Sequence, residues 1–483
     1  MNAPPAKTRE RRLGSELRSD RLLAVLLVIC LIVGVALRIY GIGAWDLLGD
    51  EQIMYHDATE NPSKRGIFSA YYFVTRSSLS VIDSPILGVR LPAVLVGLIT
   101  LPIFLLLAVR VYGPSTAIFA IALLGLSVWH VENSQYARYY STVFLFSAMH
   151  YLLFLRFLED TRARFFIASI ASGAIAVLSH FIAILLFIPT GAFSLLALLR
   201  PSYLPSPRAR RTLVVGSTVL IALAILALGA LGPGVFRRWA ASPSWGSHGW
   251  AMIPLLATNK LQIATFVAAI VGLFALASQS KKPQFLIPLL GISTALFSLG
   301  FLGPLVNMTP QYVFSLAPLF FISAGAVCAV TYGALRKTSW VVALTPFLLI
   351  VASSLPSLAS YYIERRAISP TQAIEFILDH AQPGDLLAGN VRTPLAPVDS
   401  LEIQRHPVPP WESSSEWLTF LGQLENSGEN VWLAWDVPRA GLAPELRAWL
   451  FQNCDLVYEQ NARRIDRQAR TLTVWTYPGR GSQ

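Results

Sequence analysis

What most limits the fold of this chain is a succession of apolar runs that begins near one end and recurs over three quarters of its length. They fall at residues 22–40, 87–109, 115–129, 141–157, 165–178, 181–199, 213–231, 261–277, 285–306, 312–335 and 340–361. A helix needs about 20 apolar residues to cross the hydrocarbon of a bilayer. In that medium only helices and closed barrels satisfy their own backbone. The runs therefore predict an α-helical polytopic membrane protein with about eleven transmembrane helices. Charged residues make up only 13% of the sequence against 54% hydrophobic, about half the charge of a soluble domain.

The formal net charge of +11 raises nucleic acid as a partner, yet the Lys and Arg lie strung between apolar runs and form no single basic face. No nucleic acid is expected. A topological role accounts for them, because loops on the cytoplasmic side carry the basic excess. With the N-terminal arm MNAPPAKTRERRLGSELRSDR inside, the inner loops become 110–114, 158–164, 200–211, 279–284 and 336–339, and all contain basic residues. Arg237 and Arg238 run against the pattern. The first apolar run exceeds the roughly 7–15 residues of a signal-peptide core and reads as a retained anchor.

This topology puts residues 45–86, 129–140, the Trp-rich 232–260 and the tail from 362 on the outer face. The tail changes character. Residues 369–381 have a Ser cap and helical apolar spacing, 444–451 read as a second helix, and 385–388, 430–437, 455–458 and 471–477 read as strands. The expected division is a transmembrane domain, 1–361, followed by a small C-terminal α/β extracytoplasmic domain, 362–483. Cys30, Cys328 and Cys454 lie too far apart in sequence to suggest a metal cluster or a disulfide framework.

Polar residues gather at the outer mouths of the runs. The stretch WDLLGDEQIMYHDATE, 45–60, comes directly after the first run, and its adjacent carboxylates Asp50 and Glu51 cost desolvation energy there unless something pairs or uses them. Either they form a chemical centre or they are a solvated turn capping the next helix. Residues 69–79, SAYYFVTRSSL, read as an interfacial helix. The second outer loop supplies Glu132, Gln135, Arg138 and Tyr140, with Arg138 a cation on the side that usually lacks them; a lipid headgroup or Glu132 could also hold it. Arg90, at the head of the second run, is either a second outer cation or a snorkelling side chain. His180 sits between two runs, as a substrate contact or a structural hydrogen-bonder. His56 and Asp57 stand near Glu51, but their spacing matches no recognised metal pattern. A divalent metal stays open, and no cofactor is implied.

Acid at a membrane edge together with arginines suits transfer of a sugar from a lipid-linked phosphate. The leaving phosphate is a weak base and needs no general acid. One carboxylate takes the proton of the acceptor hydroxyl, and cations stabilise the charge that grows as the bond to phosphate breaks. Asp50 suits the first role, Arg138 and Arg90 the second.

Four short motifs then stand in order along the chain: GDE at 49–51, RLPAVLVG at 90–97, SQYARYYS at 134–141 and SH at 179–180. In these, and in topology over 22–361, the chain resembles the polyprenyl-phosphate-sugar-dependent glycosyltransferases of the GT-C fold, glycosyltransferase family 39 type. That group contains the protein O-mannosyltransferases and the lipid A aminoarabinose transferase. The resemblance implies a multi-pass protein of the bacterial inner (plasma) membrane, with the N-terminus cytoplasmic and the C-terminal domain periplasmic. It implies an inverting hexosyl- or pentosyltransferase with a polyprenyl-phosphate-sugar donor, an extracytoplasmic acceptor and membrane lipid around it. Asp50 becomes the catalytic carboxylate with Glu51 in support, and Arg138 and Tyr140 lie at the donor phosphate. Glu132, Gln135, His180 and His56 join Gln311 and Tyr312 as substrate contacts. Two positions depart from relatives: Tyr136 stands where many have Glu, and Gln311 where many have Arg. The competing readings are a transporter or lipid flippase, which usually shows internal repeats and mid-span ionisable groups, and a non-catalytic assembly or sensor subunit.

Overall fold

The computed structural model describes residues 14, 20–48, 50–63, 66, 70–204, 206–218, 249–279, 285–303, 308–389, 391, 404–405, 419–420, 422–423, 430–438, 444–462 and 470–478. The N-terminal arm, Gly49, Ser69, most of the Trp-rich loop with Arg237 and Arg238, the basic loop at 280–284, and the second half of the run 213–231 lie outside the described residues.

The helices in chain order are α1 (Arg21–Ile39), α2 (Asp50–Glu60), α3 (Ala70–Leu79), α4 (Pro85–Tyr112), α5 (Pro114–Leu126), α6 (Val128–Gln135), α7 (Tyr140–Asp160), α8 (Ala163–Ser179), α9 (Phe187–Leu199), α10 (207–218), α11 (Ile263–Gln279), α12 (Leu286–Phe297), α13 (Ala317–Leu335), α14 (Trp340–Ala367), α15 (Pro370–His380) and α16 (Pro444–Asn453). Among the described residues, six helices are long and apolar enough to cross a membrane. Two sharply bent pairs raise this to eight if each is one span: α5 with α6 at 58°, and Gly249–Leu261 with Ile263–Ala275 at 108°. Ala163–Ser179 and Leu286–Leu302 are apolar but shorter. Among the described residues the expected count of eleven is not confirmed. A window of mean hydropathy sees neither a bend inside a run nor the length of its helix.

The chain divides into two compact units. The first comprises residues 1–40, 65–71 and 92–355 and holds the large apolar core. Its ends are closed by polar clips. Asp20 caps α1 by accepting from the Leu23 amide at 3.3 Å, and the same carboxylate accepts from the Tyr332 hydroxyl at 2.9 Å and from Arg336 Nη1 at 2.7 Å. At the bend after α5 the Leu124 carbonyl accepts from the Ser127 amide at 3.2 Å, and carbonyls at a helix break in hydrocarbon need further partners. Arg38, buried in the last turn of α1, supplies them: Nη1 donates to Gly125 O at 3.1 Å and Nη2 to Leu124 O at 3.3 Å. Its positive charge also complements the helix C-terminus. Gly34, one turn earlier on α1, lies 3.3 Å from the Cα of Gly125 measured from a built Cβ, so only a small residue allows this approach. Gly97 acts similarly for α4, where a side chain would collide with Ser134 of α6.

The second unit comprises residues 41–64, 72–91 and 356–483. Most of the first outer segment thus shares a unit with the tail, which a division at 361 keeps apart. The five strands are β1 (Leu386–Gly389), β2 (Gln404–Arg405), β3 (Val431–Pro438), β4 (Asp455–Ala462) and β5 (Arg470–Tyr477), in sheet order β2-β1-β3-β5-β4. β1 runs parallel to β2 and β3, and β5 pairs antiparallel with β3 and β4. One apolar cluster gathers Ile374 and Ile377 of α15 with Leu387, Trp432 and Val474. A second joins Leu450 of α16 to Leu386, Leu433, Trp435 and Trp475. The alternation of these residues along the strands arises because side chains point to opposite faces with period two.

Candidate active site

The adjacent carboxylates Asp50 and Glu51 have different fates. Glu51 is fully buried, and Arg90 is 1% exposed. Arg90 donates to the carboxylate twice, from Nε to Oε1 at 2.8 Å and from Nη2 to Oε2 at 2.9 Å. Its remaining donors go to backbone carbonyls: Nη1 to Ile42 O at 2.9 Å and to Trp45 O at 2.7 Å, and Nη2 to Asp46 O at 2.5 Å. A guanidinium has five N–H donors, and all five are taken. Glu51 also accepts from the Leu48 amide at 3.1 Å, as the acidic half of a capping box does, and Gln52 donates to Leu47 O at 2.8 Å. The loop into α2 is thus fixed from both ends. Asp50, by contrast, stands in the first turn of α2 and is partly exposed. It benefits there from the positive end of the helix dipole.

Within the other unit, the segment after α6 forms a ring-lined cluster. The Arg138 guanidinium lies over the Tyr139 ring at 4.9 Å and donates from Nη2 to its hydroxyl at 3.2 Å. His180, between α8 and the 3₁₀ turn leading to α9 and belonging to neither span, packs against Tyr139 at 5.0 Å, Tyr140 at 5.9 Å and Tyr312 at 5.5 Å. Burial, reinforced by the charge of Arg138, pushes the His180 imidazole down to about 3. It is a neutral imidazole at physiological pH. Glu132 pairs with Lys260 Nζ at 3.8 Å, both side chains mostly covered. Lys260 belongs to a π-helical turn, Leu256–Leu261, that ends at Gln262 with φ +68. Positive φ in a residue other than glycine is strained, and such strain concentrates at functional positions.

Five of the expected site residues are engaged in contacts within the fold. Arg90 is not available to a donor phosphate, since the Glu51 pair and three carbonyls consume it. Glu51 is a clip for the loop and is too buried to touch substrate. Gln135 donates both amide hydrogens to α1, to Leu37 O and Tyr40 O at 2.8 Å each, and so completes the helix end. Gln311 is held by Trp129 Nε1 at 3.0 Å and donates to Asn133 Oδ1 at 2.7 Å. His56 pairs with Glu60 at 2.8 Å on a solvent-facing stretch of α2. Arg138, Tyr140, His180 and Tyr312 do come together. Lys260 went unnoticed because it bounds an apolar run; its signal was a polar interruption, TNK, at the head of that run. Among the described residues no group of three His, Cys, Asp or Glu side chains is arranged to hold a metal ion.

Comparison with known proteins places these observations. Residues 69–230, about a third of the chain, match the family described as dolichyl-phosphate-mannose-protein mannosyltransferase. No curated protein sequence matches the chain. Among solved structures, ArnT from Cupriavidus metallidurans bound to undecaprenyl phosphate superposes with a TM-score of 0.54 at 13% identity, covering 93% of this chain and 97% of that one. Its apo form gives 0.55 at 14% identity over 94% and 98%. The archaeal oligosaccharyltransferase AglB from Archaeoglobus fulgidus, in complex with an inhibitory peptide and a dolichol-phosphate, gives 0.51 at 11% identity over 77% and 62%. The chain is a multi-pass membrane protein with the GT-C fold, and its residues 69–230 are similar to the dolichyl-phosphate-mannose-protein mannosyltransferase family.

Proposed function

We propose that the chain transfers a hexose or pentose from a polyprenyl-phosphate donor to a hydroxyl of an extracytoplasmic acceptor, with inversion. The acceptor oxygen attacks the anomeric carbon and gives its proton to Asp50. The bond from that carbon to the phosphate oxygen breaks, and the lipid phosphate keeps the electron pair. Arg138 and Lys260 are the cations assigned to that phosphate, with the rings of Tyr140, His180 and Tyr312 lining the sugar and Glu132 paired with Lys260 when no phosphate is bound. A positively charged set of donors acts where charge develops, which is where electrostatic stabilisation lowers a barrier most. The basic inner loops support an inner-membrane orientation with the N-terminus cytoplasmic and residues 362–483 outside.

The observation that carries this reading is the placing of Arg138 against the Tyr139 ring and of Lys260 against Glu132 at breaks in apolar helices, in a fold whose solved examples include proteins captured with undecaprenyl phosphate and dolichol-phosphate. Comparing lipid and glycan mass profiles of cells with and without the protein tests it. One hexose, pentose or amino sugar should disappear from an envelope component, and Asp50→Asn should reproduce the loss while the protein still inserts. Unchanged profiles in both strains would reject it.

A further inference from the structure

The loop that leads to Asp50 is built into the C-terminal domain. Asp46 Oδ2 accepts from the Ser369 hydroxyl at 2.6 Å and from the Thr371 amide at 2.8 Å. Ser369 itself caps α15 by accepting from the Gln372 amide at 3.2 Å. Two groups therefore satisfy the amides that open this helix: its own cap, and a carboxylate sent from the outer loop. Leu48, 3% exposed, is a member of the domain's apolar cluster together with Ile374, Ile377, Trp432 and Val474. Trp45 meets the Tyr362 ring edge-on at 5.5 Å.

These attachments bracket the chemistry. Leu48, two residues before Asp50, is anchored in the tail's core. Glu51, one residue after it, is anchored by Arg90, which also holds the Asp46 carbonyl. We propose that the C-terminal α/β domain is the positioning element for Asp50, acting through the Asp46 carboxylate and the Leu48 side chain. This rests on Asp50 being the base of the transfer. A base works only within hydrogen-bond reach of the proton it removes, and a displacement of about 1 Å costs on the order of a hundredfold in rate. A loop that supplied its own rigidity would need no such tether. Here the loop contributes a cap and a core residue to the unit it shares with the tail, so the order of the tail's fold becomes the order of the loop. Asp46 and Leu48 are positioning residues and do not touch substrate.

The test uses the full-length protein in nanodiscs, with Asp46→Ala, Asp46→Asn and the milder Leu48→Val. Amide hydrogen exchange at residues 50–54, affinity for undecaprenyl phosphate as the probe, and product formed per folded protein in cells are measured. Asp46→Ala should speed exchange at 50–54 by about tenfold, the scale of losing a charge-assisted cap. It should lower product at least as much and leave undecaprenyl phosphate affinity unchanged. Asp46→Asn, whose amide oxygen accepts the same two bonds, should restore both, and Leu48→Val should shift both in the Ala direction by less. Faster exchange confined to 369–380, with product unchanged, would overturn the proposal and leave the loop as a mere cap for the domain. Exchange at 50–54 reports positioning whether or not Asp50 is the base, whereas an active Asp50→Asn would remove the catalytic reading alone.

Discussion

Replacing Glu51 by Gln probes the clip beneath the candidate active site most severely. The pair with Arg90 is buried on both sides and bidentate, at 2.8 and 2.9 Å. Removing one partner of such a pair leaves an uncompensated buried charge and costs about 3–5 kcal/mol. Gln keeps one acceptor oxygen, which can serve both Arg90 Nη2 and the Leu48 amide, but it turns an NH2 donor toward Arg90 Nε, so the expected cost is about 3 kcal/mol or more. At about 1.4 kcal/mol per tenfold, that is on the order of a hundredfold rise in local opening. The assay is hydrogen exchange at the Leu48 and Gln52 amides in nanodiscs, in a range where exchange tracks the opening equilibrium. Arg90→Met alone should cost more, because it also strands the carbonyls of Ile42, Trp45 and Asp46. The double variant should cost less than the sum of the two, since neither leaves a lone charge in the other's absence. A change below about threefold for Glu51→Gln, or strict additivity in the double variant, would refute the assignment of this pair as the clip.

Lys260→Met should weaken undecaprenyl phosphate binding by about tenfold, the scale of one charge-assisted contact, while Glu132→Gln should leave it unchanged or tighter by freeing the ammonium; equal losses in both would mean that the pair is structural only. His180 is neutral in the fold and takes up a proton near the ordinary value of about 6.5 once unfolded. The unfolded chain therefore binds more protons between about 3 and 6.5, and stability must fall as pH drops through that window. In His180→Gln the loss of melting temperature between pH 7 and pH 5 should shrink, and an unaltered loss would contradict the assignment.

Local features were legible and non-local ones were not. The tail's helices and four longer strands lie within a few residues of their expected places, because Ser369 caps the helix that starts beside it and the strands are short apolar and β-branched runs bounded by turn residues. A helix, α3, appears where mixed aromatic and charged residues predicted one. The two-residue β2 has no pattern long enough to read. Outer polar residues looked equivalent in sequence, and only packing separates them. Arg90 is spent on a carboxylate 39 positions away, and Gln135 on a carbonyl 95 positions away. The bend at Ser127 follows Gly125 and carries no Pro; Arg38, from another span, donates to the Leu124 and Gly125 carbonyls beside it. Asp46 reads as one more acidic loop residue until Ser369 is brought beside it. The two carboxylates of GDE are chemically adjacent, yet one is structural and the other partly exposed, and that difference lies in burial alone.

The central claim is that Asp50 acts on the chemical step and takes no part in holding the lipid. It is tested most directly with purified wild type and Asp50→Asn in nanodiscs, by measuring undecaprenyl phosphate affinity alongside sugar release from the native donor lipid fraction in a single turnover. Removal of a general base costs about 10²–10⁴-fold, so the variant should bind within about twofold of wild type and release sugar at least a hundredfold more slowly. Release at the wild-type rate, or a loss explained wholly by weaker binding, would contradict the account.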